Sequence, residues 1–261
     1  MRVVVVGAGN MGSWLVESLC LDHEVGVYDI DRNKLKYFFN TRKFMYFEEI
    51  HDYRPDILIN AVSLENTFSV FKELLPYLPE KCIIADITSV KSGMASFYKE
   101  MGRPFVSTHP MFGPTFANVK QLRNENAIII KESDEKGKAF FRDLFESMDL
   151  KIHDYTFEEH DQTIAYSLSI PFSSTMVFAA CMKEQEAPGT TFKKHQEIAK
   201  GLLSEDDYLL TEILLSPDSQ EQVERINDQL GELIKMIKSG DKEKLHSFFK
   251  MLRENIGMKS H

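Results

Sequence analysis

Four consecutive valines running straight into a glycine-spaced turn, "RVVVVGAGNMGSWL", restrict this chain more than any other stretch. A continuous β-branched run of this kind reads as a strand buried on both faces, which a parallel sheet covered by helices provides. Gly7, Gly9 and Gly12 follow in GxGxxG spacing, with Asn10 and Met11 opening a helix between the last two. In that context Gly7 permits a tight turn, Gly9 lets the backbone approach a pyrophosphate, and Gly12 allows helix to pack closely on strand. Phosphates then sit at the helix N-terminus, where unpaired amides and the helix dipole favour negative charge.

A second strand-like run, "EVGVYD", ends in Asp29, about twenty residues past the glycines, as a dinucleotide site requires. A carboxylate there accepts from ribose hydroxyls and repels a 2′-phosphate, so NAD is favoured over NADP; Arg32 works against that preference. Farther on, "DILINAVS" ends in Ser63. Two readings of Ser63 stand together: a cofactor contact at the carboxyl edge of the sheet, or a plain strand end.

The same alternation continues to residue 155. Strand-sized runs occur at 2–6, 24–29, 56–62, 82–87, 104–108, 126–130 and 150–154, and most are separated by segments with apolar residues at helical spacing. This is the βαβ pattern of an α/β domain with a mostly parallel, doubly wound sheet of Rossmann type, assigned to residues 1–155. From 156 to 261 strand-like runs are absent and long helical periods take over, at roughly 156–184, 196–215, 218–238 and 242–256. Pro171, inside the first of these, predicts a kink or a helix boundary near Ile170.

Composition excludes several classes of partner. Hydrophobic residues at 43% and charged residues at 27% describe a soluble globular chain, and a net charge of −9 disfavours nucleic acid or an anionic membrane as the main partner. Cys20, Cys82 and Cys181 are too few and too scattered for a disulfide framework or a zinc site, which points to the cytoplasm. The apolar start is too short for a signal peptide core or a membrane span. No metal site is indicated by the histidine spacings.

In order along the chain, "GAGNMG", "DITSVKSGM" (86–94), "THPMFGP" (108–114) and "EEHDQTIAYSLS" (158–169) resemble the prephenate and arogenate dehydrogenases of tyrosine biosynthesis. The resemblance reaches from the first strand to the first long helix of the second domain and weakens beyond about residue 175. It implies an NAD-binding domain followed by a helical dimerisation domain, a symmetric homodimer, and the NAD-dependent oxidative decarboxylation of prephenate to 4-hydroxyphenylpyruvate. Arogenate is the alternative substrate, and a catalytically silent NAD-binding regulator is an alternative of another class. His109 matches the family's catalytic histidine; a neutral imidazole is suited to draw the proton from a ring hydroxyl as hydride departs. Ser89 matches the serine that bonds that histidine or the substrate hydroxyl, although a serine after a strand also commonly caps a helix. Lys91 is expected to hold its loop or an anionic group. His160 is expected near the substrate at the domain interface, with Asp161 to orient it; Glu158, Glu159 and Asp161 equally suit the first turn of a helix.

Two features depart from the family. Where many members carry a second histidine, eleven residues past Asp161, this chain has Phe172, and no arginine accompanies Lys193, Lys194, His195 and Lys200. A phenyl ring cannot donate to a carboxylate, and lysine is not an equivalent fork donor. Lys200, Lys194 and Gln196 are therefore the candidates for the substrate carboxylate.

Overall fold

The computed structural model describes residues 1–113 and 122–258. Pro114 of the "THPMFGP" segment and His261 lie outside the described residues.

The strands are β1 (Arg2–Val6), β2 (Glu24–Tyr28), β3 (Arg42–Phe44), β4 (Ile57–Asn60), β5 (Ile83–Asp86), β6 (Phe105–Pro110), β7 (Asn126–Ile130) and β8 (Lys151–Tyr155). They form one sheet in the order β3-β2-β1-β4-β5-β6-β7-β8. Every neighbouring pair is parallel except β6 with β7, where Thr108, His109 and Pro110 oppose Ile129, Ile128 and Ala127. Both faces of β1 are buried, as its four valines require. Val3 and Val5 pack with α1 (Asn10–Leu19) and α6 (Glu135–Glu146) through Trp14, Leu15, Phe141 and Phe145. Val4 and Val6 face the other core, built from Ile50 of α3 (Phe47–Tyr53), Phe71 of α4 (Thr67–Leu74) and Tyr98 of α5 (Met94–Met101). The short α2 (Arg32–Leu35) follows β2.

Every described element after β8 is a helix: α7 (Phe157–Cys181), α8 (Thr190–Leu202), α9 (Asp207–Leu215), α10 (Pro217–Ser239) and α11 (Lys242–Asn255). Thr156 caps α7 by accepting the Glu159 N–H, while the Glu159 carboxylate accepts the Thr156 N–H in return. That reciprocal cap places the start of α7 one residue after the sheet ends. By length and composition, α7 alone among the described residues is apolar enough to cross a membrane.

Three expectations need correction. β3 was not anticipated, because "RKF" is too short and too charged to show a strand period. The helix expected over 196–215 is two: Asp206 starts α9 anew by accepting the N–H groups of Tyr208 and Leu209 at 3.0 and 3.3 Å. Of the two alternatives near Ile170, a kink or a boundary, the boundary does not occur, and α7 is one helix through Pro171. Proline removes one amide from the ladder, and packing of α7 against both α8 and α10 holds the remaining turns in place.

Candidate active site

Parallel strands β1, β4, β5 and β6 end on one edge, so the residues that follow them gather there. Gly7 follows β1 with φ +97°, and a Cβ on it would lie 2.6 Å from the carbonyl oxygen of Ala61, just after β4. Gly12 is tighter still, since its Cβ would fall 1.8 Å from the Gly7 carbonyl oxygen. Gly9 is different: a Cβ there would meet nothing within 4 Å. Two glycines thus serve the protein's own packing, and the third leaves open a space that a ligand can approach. Gly9 precedes α1 without a side-chain cap, and the first turn, which begins with exposed Asn10 and half-buried Met11, carries no acidic residue. Among the described residues no side chain caps its amides, which suits an anion.

Asp29 is buried at the end of β2. Its Oδ2 accepts the Ala8 N–H at 2.6 Å, Oδ1 accepts the Asp31 N–H at 2.8 Å, and Lys34 Nζ lies 3.5 Å away. A carboxylate has roughly four acceptor positions, so Asp29 fastens the glycine turn to β2 and keeps capacity for ribose hydroxyls. Arg32 instead lies over the Tyr46 ring, 5.2 Å from its centroid. Ser63, after β4, is exposed and accepts from Asn66 Nδ2 at 2.8 Å. The turn, the open Gly9 and the buried acid together fit a dinucleotide.

His109 stands near the end of β6 and is buried. Its Nδ1 is 3.0 Å from His160 Nε2, and His160 Nδ1 is 2.9 Å from Asp161 Oδ1. His160 is fully buried on the first turn of α7, whereas the Asp161 side chain is 38% exposed. Burial, the facing His160 and nearby Lys91 hold the His109 imidazole well below its ordinary value of 6.5. His160 is also held low, chiefly by burial, with Asp161 opposing the shift. Both rings are therefore neutral at physiological pH, and His109 is an acceptor available for a proton. Phe112, three residues on, stacks edge-on against Trp14 of α1 with centroids 5.3 Å apart, which ties the His109 segment to the helix of the glycine turn.

The other candidates divide. Ser89 is half-buried at the bend after β5 and, among the described residues, makes no hydrogen bond to His109; the ring's partner is His160 instead. Lys91 points into the protein interior. It is fully buried, paired with Asp86, and donates to the Thr108 carbonyl at 2.7 Å and to Thr88 Oγ1 at 3.3 Å. Asp86 in turn accepts from Tyr98 Oη and Thr88 Oγ1, each at 2.7 Å. Burial works against ionising Asp86, and Lys91 together with the Thr88 hydroxyl overcomes it, holding the carboxyl below its usual range. Lys91 thus braces the Ser89 bend against the backbone beside His109. The Asp86–Lys91–Tyr98 network was not anticipated; an acid and a lysine five apart at a strand end were its only trace in the sequence. Lys200, Lys194 and His195 are exposed on α8, and Phe172 is half-buried on α7.

Residues 20–149 match the family described as "Prephenate dehydrogenase, nucleotide-binding domain". Among curated proteins, the chain is 26% identical over 217 residues to a probable arogenate/prephenate dehydrogenase of Methanocaldococcus jannaschii, covering 77% of this chain and 47% of that protein. It is 22% identical over 211 residues to the T-protein of Enterobacter agglomerans, covering 77% of this chain and 56% of that one. The chain therefore spans about half the length of the curated relatives it matches. In fold it is similar to a prephenate dehydrogenase of Aquifex aeolicus solved with hydroxyphenyl propionate and NAD+ (TM-score 0.84, 19% identity, 98% and 96% of the two chains). It is also similar to a Synechocystis arogenate dehydrogenase (TM-score 0.75, 18% identity, 98% of each chain).

Proposed function

We propose, for a chain whose residues 20–149 belong to the prephenate dehydrogenase family, that it is an NAD-dependent dehydrogenase converting prephenate to 4-hydroxyphenylpyruvate with loss of carbon dioxide. The observation that carries the reading is a buried, neutral His109 on the same sheet edge as the open glycine turn. Gly9, Asn10, Met11 and Gly12 would hold the pyrophosphate and Asp29 the adenosine ribose, with Ser63 beside them; this acid disfavours a 2′-phosphate and so favours NAD over NADP. NAD, when bound, supplies the hydride acceptor.

His109 accepts the proton of the ring hydroxyl as the C–H electron pair leaves the same carbon as hydride, making a carbonyl. The bond to the ring carboxylate then breaks, carbon dioxide departs, and its electron pair enters the ring. His109 returns the proton to the ring oxygen, which becomes a phenol. Atoms and charge balance without a net proton release, and aromatisation drives the step forward. Ser89, on the bend beside this site, is the proposed second partner for the substrate hydroxyl. Lys200 remains the proposed contact for a substrate carboxylate from α8.

The helical region is proposed to form a homodimer, which its exposed apolar residues on α10 and α11 favour. Three free cysteines suit the reducing cytoplasm. The test follows reduced nicotinamide formation with prephenate or arogenate, each with NAD or NADP. Turnover of prephenate with NAD is expected to exceed the other three combinations; faster turnover of arogenate would reassign the substrate, and no turnover in any combination would overturn the enzyme reading. His109→Asn is expected to lower kcat by about 10² to 10⁴-fold.

A further inference from the structure

Two histidines and a carboxylate lie in one hydrogen-bonded line, from His109 Nδ1 through both nitrogens of His160 to Asp161 Oδ1. An ionised carboxylate only accepts, so the His160 nitrogen facing Asp161 must carry the hydrogen. A neutral imidazole has one N–H, which leaves His160 Nε2 as an acceptor. His109 must then donate from Nδ1, and its own single hydrogen is spent there. Its Nε2 keeps a lone pair. The order of the three groups therefore specifies which nitrogen of His109 can act as a base.

We propose that Asp161 and His160 are positioning residues that fix His109 as the Nδ1–H tautomer with Nε2 free to receive the substrate proton. This rests on the reading of His109 as the base, and it moves His160 from the substrate-contacting role expected of it to a role behind the catalytic ring. Burial on α7 keeps His160 from adopting another partner, because none of its ring is exposed. Asp161 lines a cleft of about 230 Å³ bounded by Val90, Ser92, Ile213 and Asp218, which leaves its carboxylate within reach of water. Among the described residues, the charged and titratable groups facing His109 are His160 from α7 and Lys91 from the bend after β5, with Asp161 and Asp86 behind them. As His109 takes the proton, the line delivers the Asp161 charge toward the new imidazolium through His160.

Nitrogen-15 NMR of the imidazoles, assigned with His109→Asn and His160→Asn, reads the tautomer without any turnover. The expected result is a hydrogen on Nδ1 of both rings in the wild-type chain; a hydrogen on Nε2 of His109 overturns the proposal. Asp161→Ala should let His109 populate both tautomers. It should also lower kcat about tenfold or more with KM changed less than about twofold, against the roughly 10⁴-fold that a wrong tautomer costs a Ser-His-Asp enzyme. Asp161→Glu should recover most of the loss. Unchanged kcat in a folded Asp161→Ala chain with a single His109 tautomer would remove the role of Asp161. Should neither prephenate nor arogenate turn over, the function reading fails and the tautomer measurement still decides this one.

Discussion

Gly9 and Gly12 look alike in the chain and have opposite tasks in the fold. Gly12 is enclosed by the Gly7 carbonyl, and Gly9 faces open space. Gly12→Ala is expected to destabilise the protein by about 3 kcal/mol, seen as a lower midpoint in urea. Gly9→Ala should change stability by less than about 0.5 kcal/mol and weaken NAD binding on the order of tenfold, about 1.4 kcal/mol, measured by titration calorimetry. At His109 and His160 the consequence is a pH dependence. Both have folded values below the ordinary 6.5, so between those values and about 6.5 the unfolded chain binds more protons than the folded one. Stability from this source is complete above the unfolded value and is lost as pH falls through it. Thermal melts should show a declining midpoint from about pH 7 to pH 5, and the decline should be shallower in His109→Asn.

At the scale of elements, the edge of the sheet is held by a buried ion pair rather than by apolar contact alone. Asp86 ends β5, and Lys91 crosses to the Thr108 carbonyl of β6, so the pair joins the two strands beside His109. Removing one partner leaves a buried charge without compensation. Lys91→Met is expected to cost about 3–5 kcal/mol of folding stability, and the Asp86→Asn, Lys91→Met double variant to recover much of it; chemical denaturation of both variants measures the difference. Elements with a strong local signature were legible in the sequence: β1 is a continuous valine run, β2 alternates valine with other residues, and the glycine turn carries fixed offsets. β3 was not, because it is held by pairing with β2 over three residues rather than by a pattern of its own. The division of the 196–215 region into α8 and α9 hung on one capping aspartate, Asp206, within the short polar stretch "SEDD" (204–207).

For the whole molecule, the sheet buries its apolar residues on both faces, while α10 and α11 leave theirs in water. Leu230 and Ile234 on α10 are 47% and 43% exposed, and Phe249, Met251 and Leu252 on α11 are exposed too. A stripe of that kind calls for another surface. Sedimentation equilibrium is expected to give a dimer mass for the wild-type chain and a monomer mass for Leu230→Glu, Ile234→Glu, with the circular dichroism spectrum unchanged. By itself the sequence determined the α/β class, the glycine turn, the acid after β2 and the candidate base, since each depends on neighbours a few residues apart or on a motif read in order. Only the tertiary structure decided what surrounds them: that His109 is partnered by His160, fifty-one residues away, and that Lys91 is closed into a buried network. Such partnerships depend on how α7 and the β5 bend pack against the end of β6, and packing across separate elements leaves no local spacing to read.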